Sequence, residues 1–165
     1  AGRGRGGACL GFSVRKICAK GKTAFGALMD PRLLALGLAC VDVAMAAVSW
    51  LILLCTYPDF ARWQAADFAR HHENYTRKVG RVVGPLLLLQ LSGHVWLVCA
   101  GEGWLSLALV LACWGLTGFW SVPCHRRLQL EGPGSPALAS LVRSHAWRTA
   151  LWSILAIDSI RRAAG

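Results

Sequence analysis

The stretch LLALGLACVDVAMAAVSWLILLCTY (residues 33–57) decides the fold of this chain. It contains a single charged side chain, Asp42. A helix of about 20 mostly apolar residues spans the hydrocarbon core of a bilayer, which is about 30 Å thick. Buried helices of water-soluble proteins rarely stay uncharged for so long. The stretch therefore predicts a membrane-spanning helix.

Two further stretches repeat this pattern, and a third repeats it more weakly. Residues 82–100 carry no charge, and residues 104–123 carry neither charge nor amide. Residues 137–161 predict a last helix whose apolar positions are interrupted by several charges. The whole chain is 55% hydrophobic with a mean hydropathy of +0.46, whereas soluble domains are about 45–50% apolar. We therefore expect an all-α fold, a polytopic transmembrane four-helix bundle.

An amphipathic helix is predicted between the first two spans. Pro58 breaks the first helix, and Asp59 can cap the next one. Apolar side chains then recur at helical spacing over residues 59–78, and the opposite face carries charges. A helix of this kind lies in the membrane interface. The predicted bundle thus has an amphipathic interfacial helix between spans one and two.

The first 30 residues differ from the rest of the chain. They carry much of the net charge of +10, and residues 1–29 contain no acid. Basic runs often bind nucleic acid, but no nucleic-acid-binding module accompanies this one, so nucleic acid is not a predicted partner. The residue types are those of an organellar targeting segment. We predict a basic flexible tail or targeting remnant over residues 1–30 and a four-helix transmembrane domain over residues 31–165. The expected location is a plastid or mitochondrial inner membrane, or else a bacterial-type inner membrane.

Polar side chains at membrane depth need either a partner or a function. Asp42 either carries a proton or ligates a metal, or it forms an ion pair with Arg148, or it is a neutral acid hydrogen-bonded to a neighbouring helix. Gln90 and His94 are four residues apart and share a helix face. They either line a polar, haem or metal site or form interhelical hydrogen bonds. His145 and Arg148 are one turn apart, and an arginine there could bind a carboxylate, a phenolate or a phosphate.

Motifs of known chemistry are absent from the sequence. It contains no C-x-x-C, no C-x-x-C-H haem attachment, no H-E-x-x-H and no glycine-rich phosphate loop. We therefore predict no metal site and name no cofactor. Whether the protein is an enzyme stays open on these patterns.

Five segments together resemble a known group of proteins. They are YPDF (57–60), HENYT (72–76), RVVGPLLLLQ (81–90), VPCHRRL (122–128) and LVRSHAWRTALW (141–152). Over about residues 33–161 the chain resembles mostly bacterial four-helix integral membrane proteins of unknown function, which are similar to the anthrone-oxygenase-like domain family. This resemblance implies a four-helix membrane domain.

The resemblance also implies a set of catalytic candidates, provided that the protein is an oxygenase. Two histidines would handle protons, and an arginine would hold an anionic substrate or stabilise an enolate. At Gln90 the group tends to carry Glu, and near His145 it tends to carry Asn, so the chain departs from the pattern there. The candidates carried over are His72, His125, Arg148 and Trp152.

Three functions are consistent with these features. The leading prediction is an accessory or structural subunit of a membrane complex, with the lipid bilayer and other subunits as partners, because small polytopic chains with aromatic-rich spans suit that role. The first alternative is a membrane-embedded oxidoreductase of the anthrone-oxygenase type. The second is a small transporter, which rests on Asp42, Gln90 and Arg148.

Overall fold

A computed structural model describes residues 30–165, and all regular structure in this range is helical. Apart from Asp30, the tail predicted over residues 1–30 lies outside the described residues. Two π-helical segments, Ile52–Thr56 and Leu116–Ser121, interrupt the α-helices. The α-helices are α1 (Pro31–Leu51), α2 (Tyr57–Phe60), α3 (Ala65–Cys99), α4 (Trp104–Gly115), α5 (Val122–Glu131) and α6 (Ala137–Ala164).

Within the described part of the chain, three helical stretches are long and apolar enough to cross a membrane. They are Arg32–Phe60, Ala65–Cys99 and Trp104–Glu131. Large apolar side chains such as Leu54 and Phe119 are exposed on them. Such a surface is unfavourable in water, at about 25 cal/mol per Å², and favourable in lipid. The structure thus supports an integral membrane protein with transmembrane helices.

The helix ends follow from local chemistry. At the start of α1, Asp30 Oδ1 accepts a hydrogen bond from the backbone N–H of Arg32 at 2.8 Å, as expected of an N-cap. The turn between α3 and α4 contains Gly101 and Gly103 with φ of 95° and 71°, a region that glycine adopts readily. α3 and α4 therefore form a tight antiparallel hairpin.

Each π-helical segment ends just before a proline. The first precedes Pro58, and the second precedes Pro123. A proline has no N–H to donate to the preceding turn, and the wider π turn accommodates that loss. Because α1 and α4 run in the same direction, both π segments lie in the half of the fold that is distant from the Gly101 turn. π segments of this kind often mark functional sites.

The helix predicted over residues 59–78 is not a separate element, which corrects the sequence-based expectation. α2 ends at Phe60, and α3 runs without a break from Ala65 through Gly80 to Cys99. A single interior glycine costs a helix only about 1 kcal/mol relative to alanine. That is too little to end a helix in a membrane, where each backbone N–H and C=O has to be paired within the chain, and the helix also continues through Gly84 and Pro85.

Two groups of buried apolar side chains hold the helices together. α1 packs mainly against α6, and α4 packs against both α3 and α6. One group surrounds Trp152 in the middle of the fold. The other surrounds Phe60 near the loops that follow α2 and α5. Polar side chains collect in two places, in the space between these two groups and on the Gly101 side of the Trp152 group.

Candidate functional site

A half-open cavity of about 310 Å³ lies between α1, α3, α6 and the second π segment. Its α3 wall comes from residues 75–87, and another wall comes from residues 45–57 at the end of α1, in the first π segment and at the start of α2, so it occupies the half distant from the Gly101 turn. Most of the wall is apolar or aromatic, and no carboxylate of the described residues lines it. The polar and aromatic lining residues are Ser49, Tyr57, Tyr75, Thr76, Thr117, His125, His145, Arg148 and Trp152.

Arg148 is the only charged side chain among these lining residues, and it is 7% exposed. Its Nη1 donates to Thr117 Oγ1 at 3.0 Å, and its Nη2 donates to His145 Nδ1 at 2.6 Å. The guanidinium carbon lies 5.6 Å from the centre of the Trp152 ring, a cation–π distance. Its buried Nε has no partner. No carboxylate in residues 30–165 forms an ion pair with Arg148, so a buried cation faces the cavity without a counter-ion.

Hydrogen bonds around His145 determine which ring nitrogen carries the proton. Nε2 lies 3.0 Å from the backbone oxygen of Ser49, and because a carbonyl only accepts, Nε2 donates. Nδ1 of the neutral ring therefore accepts from Arg148. The hydroxyls of Ser49 and Thr149, 2.6 Å apart, complete this set. His145 thus orients Arg148 without neutralising it.

His125 belongs to a second ordered chain of hydrogen bonds at the cavity wall. Gln129 Nε2 donates to the Ala69 carbonyl at 2.8 Å, so its Oε1 faces His72 Nδ1 at 2.6 Å. His72 Nδ1 therefore donates, and His72 Nε2 accepts from His125 Nδ1 at 2.9 Å. This order leaves the Nε2 lone pair of His125 without a donor among the described residues. The cavity wall thus carries both a hydrogen-bond acceptor, His125 Nε2, and the Arg148 cation.

A separate polar cluster lies toward the Gly101 turn and centres on Asp42, which is wholly buried. Asp42 accepts hydrogen bonds from Gln90 Nε2 at 2.8 Å, from His94 Nε2 at 3.1 Å and from Ser159 Oγ. Trp152 Nε1 donates to Gln90 Oε1 at 3.3 Å. Because an indole only donates, it turns the amide N–H₂ of Gln90 toward Asp42. Three helices therefore meet on one carboxylate.

Of the alternatives for Asp42, the ion pair with Arg148 is not formed, and its carboxyl group is hydrogen-bonded to neighbouring helices instead. Asp42 contacts Ser159, which is eleven residues beyond Arg148 on α6. At 1.5 Å per residue, that separates the two positions by about 16 Å along the helix. Sequence alone did not establish the register of α1 against α6, and the register decides this pairing.

The structure brings some of the sequence candidates together and keeps others apart. His125, His145, Arg148 and Trp152 all line the cavity, and His72 stands behind His125. The separate cluster contains Asp42, Gln90 and His94. Trp152 connects it with the cavity, because its ring lies against the Arg148 guanidinium and its N–H donates to Gln90.

Two cavity residues escaped the sequence analysis. The Thr117 hydroxyl accepts from Arg148 Nη1, and the Ser49 hydroxyl lies 3.2 Å from His145 Nε2 beside the Ser49 backbone oxygen that also accepts from it. Each is a lone hydroxyl inside an apolar stretch, a weak signal that many transmembrane helices carry. The described residues contain no group of three or more His, Cys, Asp or Glu that could hold a metal ion.

Comparisons with protein families, with curated proteins and with solved structures find no match to this chain. The resemblance to the anthrone-oxygenase-like domain family therefore stays a prediction. The site is interpreted from its own geometry.

Proposed function

We propose that this protein is a four-helix membrane protein that binds a lipophilic molecule carrying an anionic or carbonyl oxygen, which Arg148 holds. The observation that supports this most is a buried guanidinium without a counter-ion at the wall of an apolar cavity. An unpaired buried charge is strongly unfavourable, and a ligand oxygen would relieve it.

In this proposal α6 is the fourth span. Its polar side chains His145, Arg148 and Thr149 are buried against other helices, whereas Trp147 and Ile154 are exposed. A simple hydropathy count penalises the polar residues although they face protein rather than lipid. The long contact of α6 with α1 supports the same arrangement.

The beginning of α3 lies beyond the hydrocarbon in this proposal. α3 has 35 residues, which at 1.5 Å each is about 53 Å, much longer than a hydrocarbon core of about 30 Å. Its first part carries exposed ion pairs, Arg70 with Asp67 and Arg77 with Glu73. The predicted interfacial character would then belong to the start of α3, and the cavity would lie within one leaflet.

The lining chemistry indicates which ligand oxygen would bind. The guanidinium offers planar N–H donors that match carboxylates, phenolates and enolates. The aromatic rings of Tyr57 and Trp152 and the surrounding aliphatic groups favour a ligand whose remainder is apolar. A hydrophilic anion would gain the charge contact but would leave the apolar wall unfilled.

A binding measurement in nanodiscs tests the proposal. Dodecanoate and dodecanol share one tail and differ in charge, so wild-type protein should prefer the carboxylate. Arg148→Gln should weaken dodecanoate binding about 10- to 100-fold and leave dodecanol unchanged. Arg143→Gln on the exposed face of the same helix is the matched control and should behave like wild type. Equal carboxylate preference in both variants would overturn the proposal.

The His125 lone pair favours a second candidate, the anthrone-oxygenase-like oxidoreductase. A base at this position could take a proton from an activated CH₂ group while Arg148 holds the resulting enolate oxygen. With O₂ as oxidant, the CH₂ would become C=O and one water would form. Oxygen uptake with an anthrone, lost in His125→Gln, would support this reaction. The accessory-subunit and transporter hypotheses stay predictions, because no contact within residues 30–165 favours either of them.

A further inference from the structure

The volume of the cavity limits what it can enclose. It measures about 310 Å³, near the lower end of the roughly 300–1,000 Å³ that ligand pockets span. If one non-hydrogen atom needs about the 30 Å³ that a water occupies in the liquid, there is room for about ten such atoms. A longer molecule held at Arg148 would have to extend out of the cavity.

The α3 glycines have different surroundings at the two ends of the fold. Near the Gly101 turn α3 touches α1, since a Cβ added to Gly93 would lie 2.7 Å from Leu38 Cδ1. Along the cavity, a Cβ added to Gly80 or Gly84 would meet nothing within 4 Å. The two glycines therefore leave a notch in the cavity wall, because no other side chain packs against α3 at these positions.

The notch faces the side that lipid would cover. Only 11% of the most apolar stretch of the Ala65–Cys99 span is buried inside the structure. Gly80 is exposed although it lines the cavity, and Gly84 lies one turn further along the same face of α3. The cavity thus connects sideways with the surroundings of α3 rather than only with the aqueous end of the fold.

We propose that the ligand is a single-chain anionic amphiphile that reaches the cavity sideways from the bilayer. Its head oxygen pairs with Arg148, and its alkyl tail leaves through the notch beside Gly80 and Gly84. This inference rests on the proposed function and adds the ligand class and the route. A compact ring that is enclosed completely is the competing occupant.

A chain-length series separates these two occupants. Hexanoate, dodecanoate and hexadecanoate are titrated into nanodiscs that contain wild type, Gly84→Leu or Gly118→Leu, with empty nanodiscs subtracted. Gly118 is exposed, lies outside the cavity lining and has nothing within 4 Å of an added Cβ, so it is the matched control. Leucine forms helix more readily than glycine, which keeps both variants comparable in folding.

The expected result is length-dependent. Gly84→Leu should weaken hexadecanoate binding about tenfold and leave hexanoate binding unchanged, while Gly118→Leu matches wild type for every acid. Unchanged hexadecanoate affinity in Gly84→Leu would overturn the sideways route. Loss of all three acids in that variant would favour the enclosed ring instead. If Arg148→Gln in the same series changed nothing, the proposed function itself would fail, whatever the glycine variants do.

Discussion

At the residue scale, the two buried ionisable side chains Asp42 and Arg148 have separate sets of hydrogen-bond partners. Arg148 is held by Thr117 and His145. Asp42 is held by donors from three side chains, among them Gln90. Asp42 and Arg148 do not contact each other, so each depends on its own hydrogen-bond partners. Asp42 accepts from three donors, whereas the Nε of Arg148 has no partner.

Gln90→Leu should destabilise the protein by about 1 kcal/mol, because interhelical hydrogen bonds in membranes contribute about 0.6 kcal/mol each. The change removes two such bonds, one to Asp42 and one from Trp152. Thermal unfolding in detergent measures the loss. Ser92→Leu, next to the network on the exposed face of α3, is the control and should change little. Equal stability of the two variants would show that the hydrogen bonds of the Asp42 cluster do not stabilise the fold.

Gln90→Glu should make stability depend on pH. The new carboxylate would stand about as close to Asp42 as Gln90 Nε2 now does, 2.8 Å from Oδ1. Two carboxylates at that distance hold one proton between them, and this proton is bound more tightly in the folded state than in the unfolded one. The folded state is therefore favoured at low pH, and its stability falls as pH rises from about 5 to about 8. A pH series of unfolding temperatures for wild type and variant checks this prediction: the deficit of the variant relative to wild type should grow as pH rises, and a deficit that is equal at every pH would contradict it.

At the element scale, the π segments and the continuous α3 shape the cavity. Both π segments lie at its wall and end at a proline. Hydrophobic run lengths predicted the spans well, because lipid requires them directly. They did not predict that residues 65–99 form one helix, since a surface-lying amphipathic helix and a long helix that leaves the membrane have the same pattern.

A distance measurement distinguishes these two forms of α3. Spin labels at exposed Ala66 and Leu88 are 22 residues apart in the continuous helix, which gives about 33 Å at 1.5 Å per residue. A right-angle bend at Gly80 would shorten this separation to about 24 Å. Pulsed dipolar spectroscopy in nanodiscs should find the longer distance. A dominant population at the shorter one would restore the separate interfacial helix.

At the scale of the whole molecule, the side chains that would be costly in lipid face inward. The all-helical fold and the three long spans could be read from apolar run lengths, whereas the candidates His125, Arg148 and Trp152 came from the resemblance to a known group. Their partners could not be read from the sequence, because pairing depends on how far one helix slides along another. Asp42 illustrates this: its partner on α6 is Ser159 rather than Arg148.

The four-span topology can be tested by labelling with a membrane-impermeant maleimide. If α6 crosses the bilayer, Gly134→Cys and Ala164→Cys lie on opposite sides, and Glu102→Cys lies with Ala164→Cys. Labelling of sealed vesicles should therefore modify Gly134→Cys from one side and the other two from the opposite side. Modification of all three from one side would contradict a fourth span.

The most direct test of the central claim is to locate a bound anion. A photoreactive long-chain carboxylate is crosslinked to the protein in nanodiscs, and the modified peptides are identified by mass spectrometry. Modification should concentrate on the cavity walls at residues 75–87 and 145–152 and should disappear in Arg148→Gln but not in Arg143→Gln. Modification spread over lipid-facing positions such as Phe119, and equal in both variants, would show that Arg148 holds no anionic ligand.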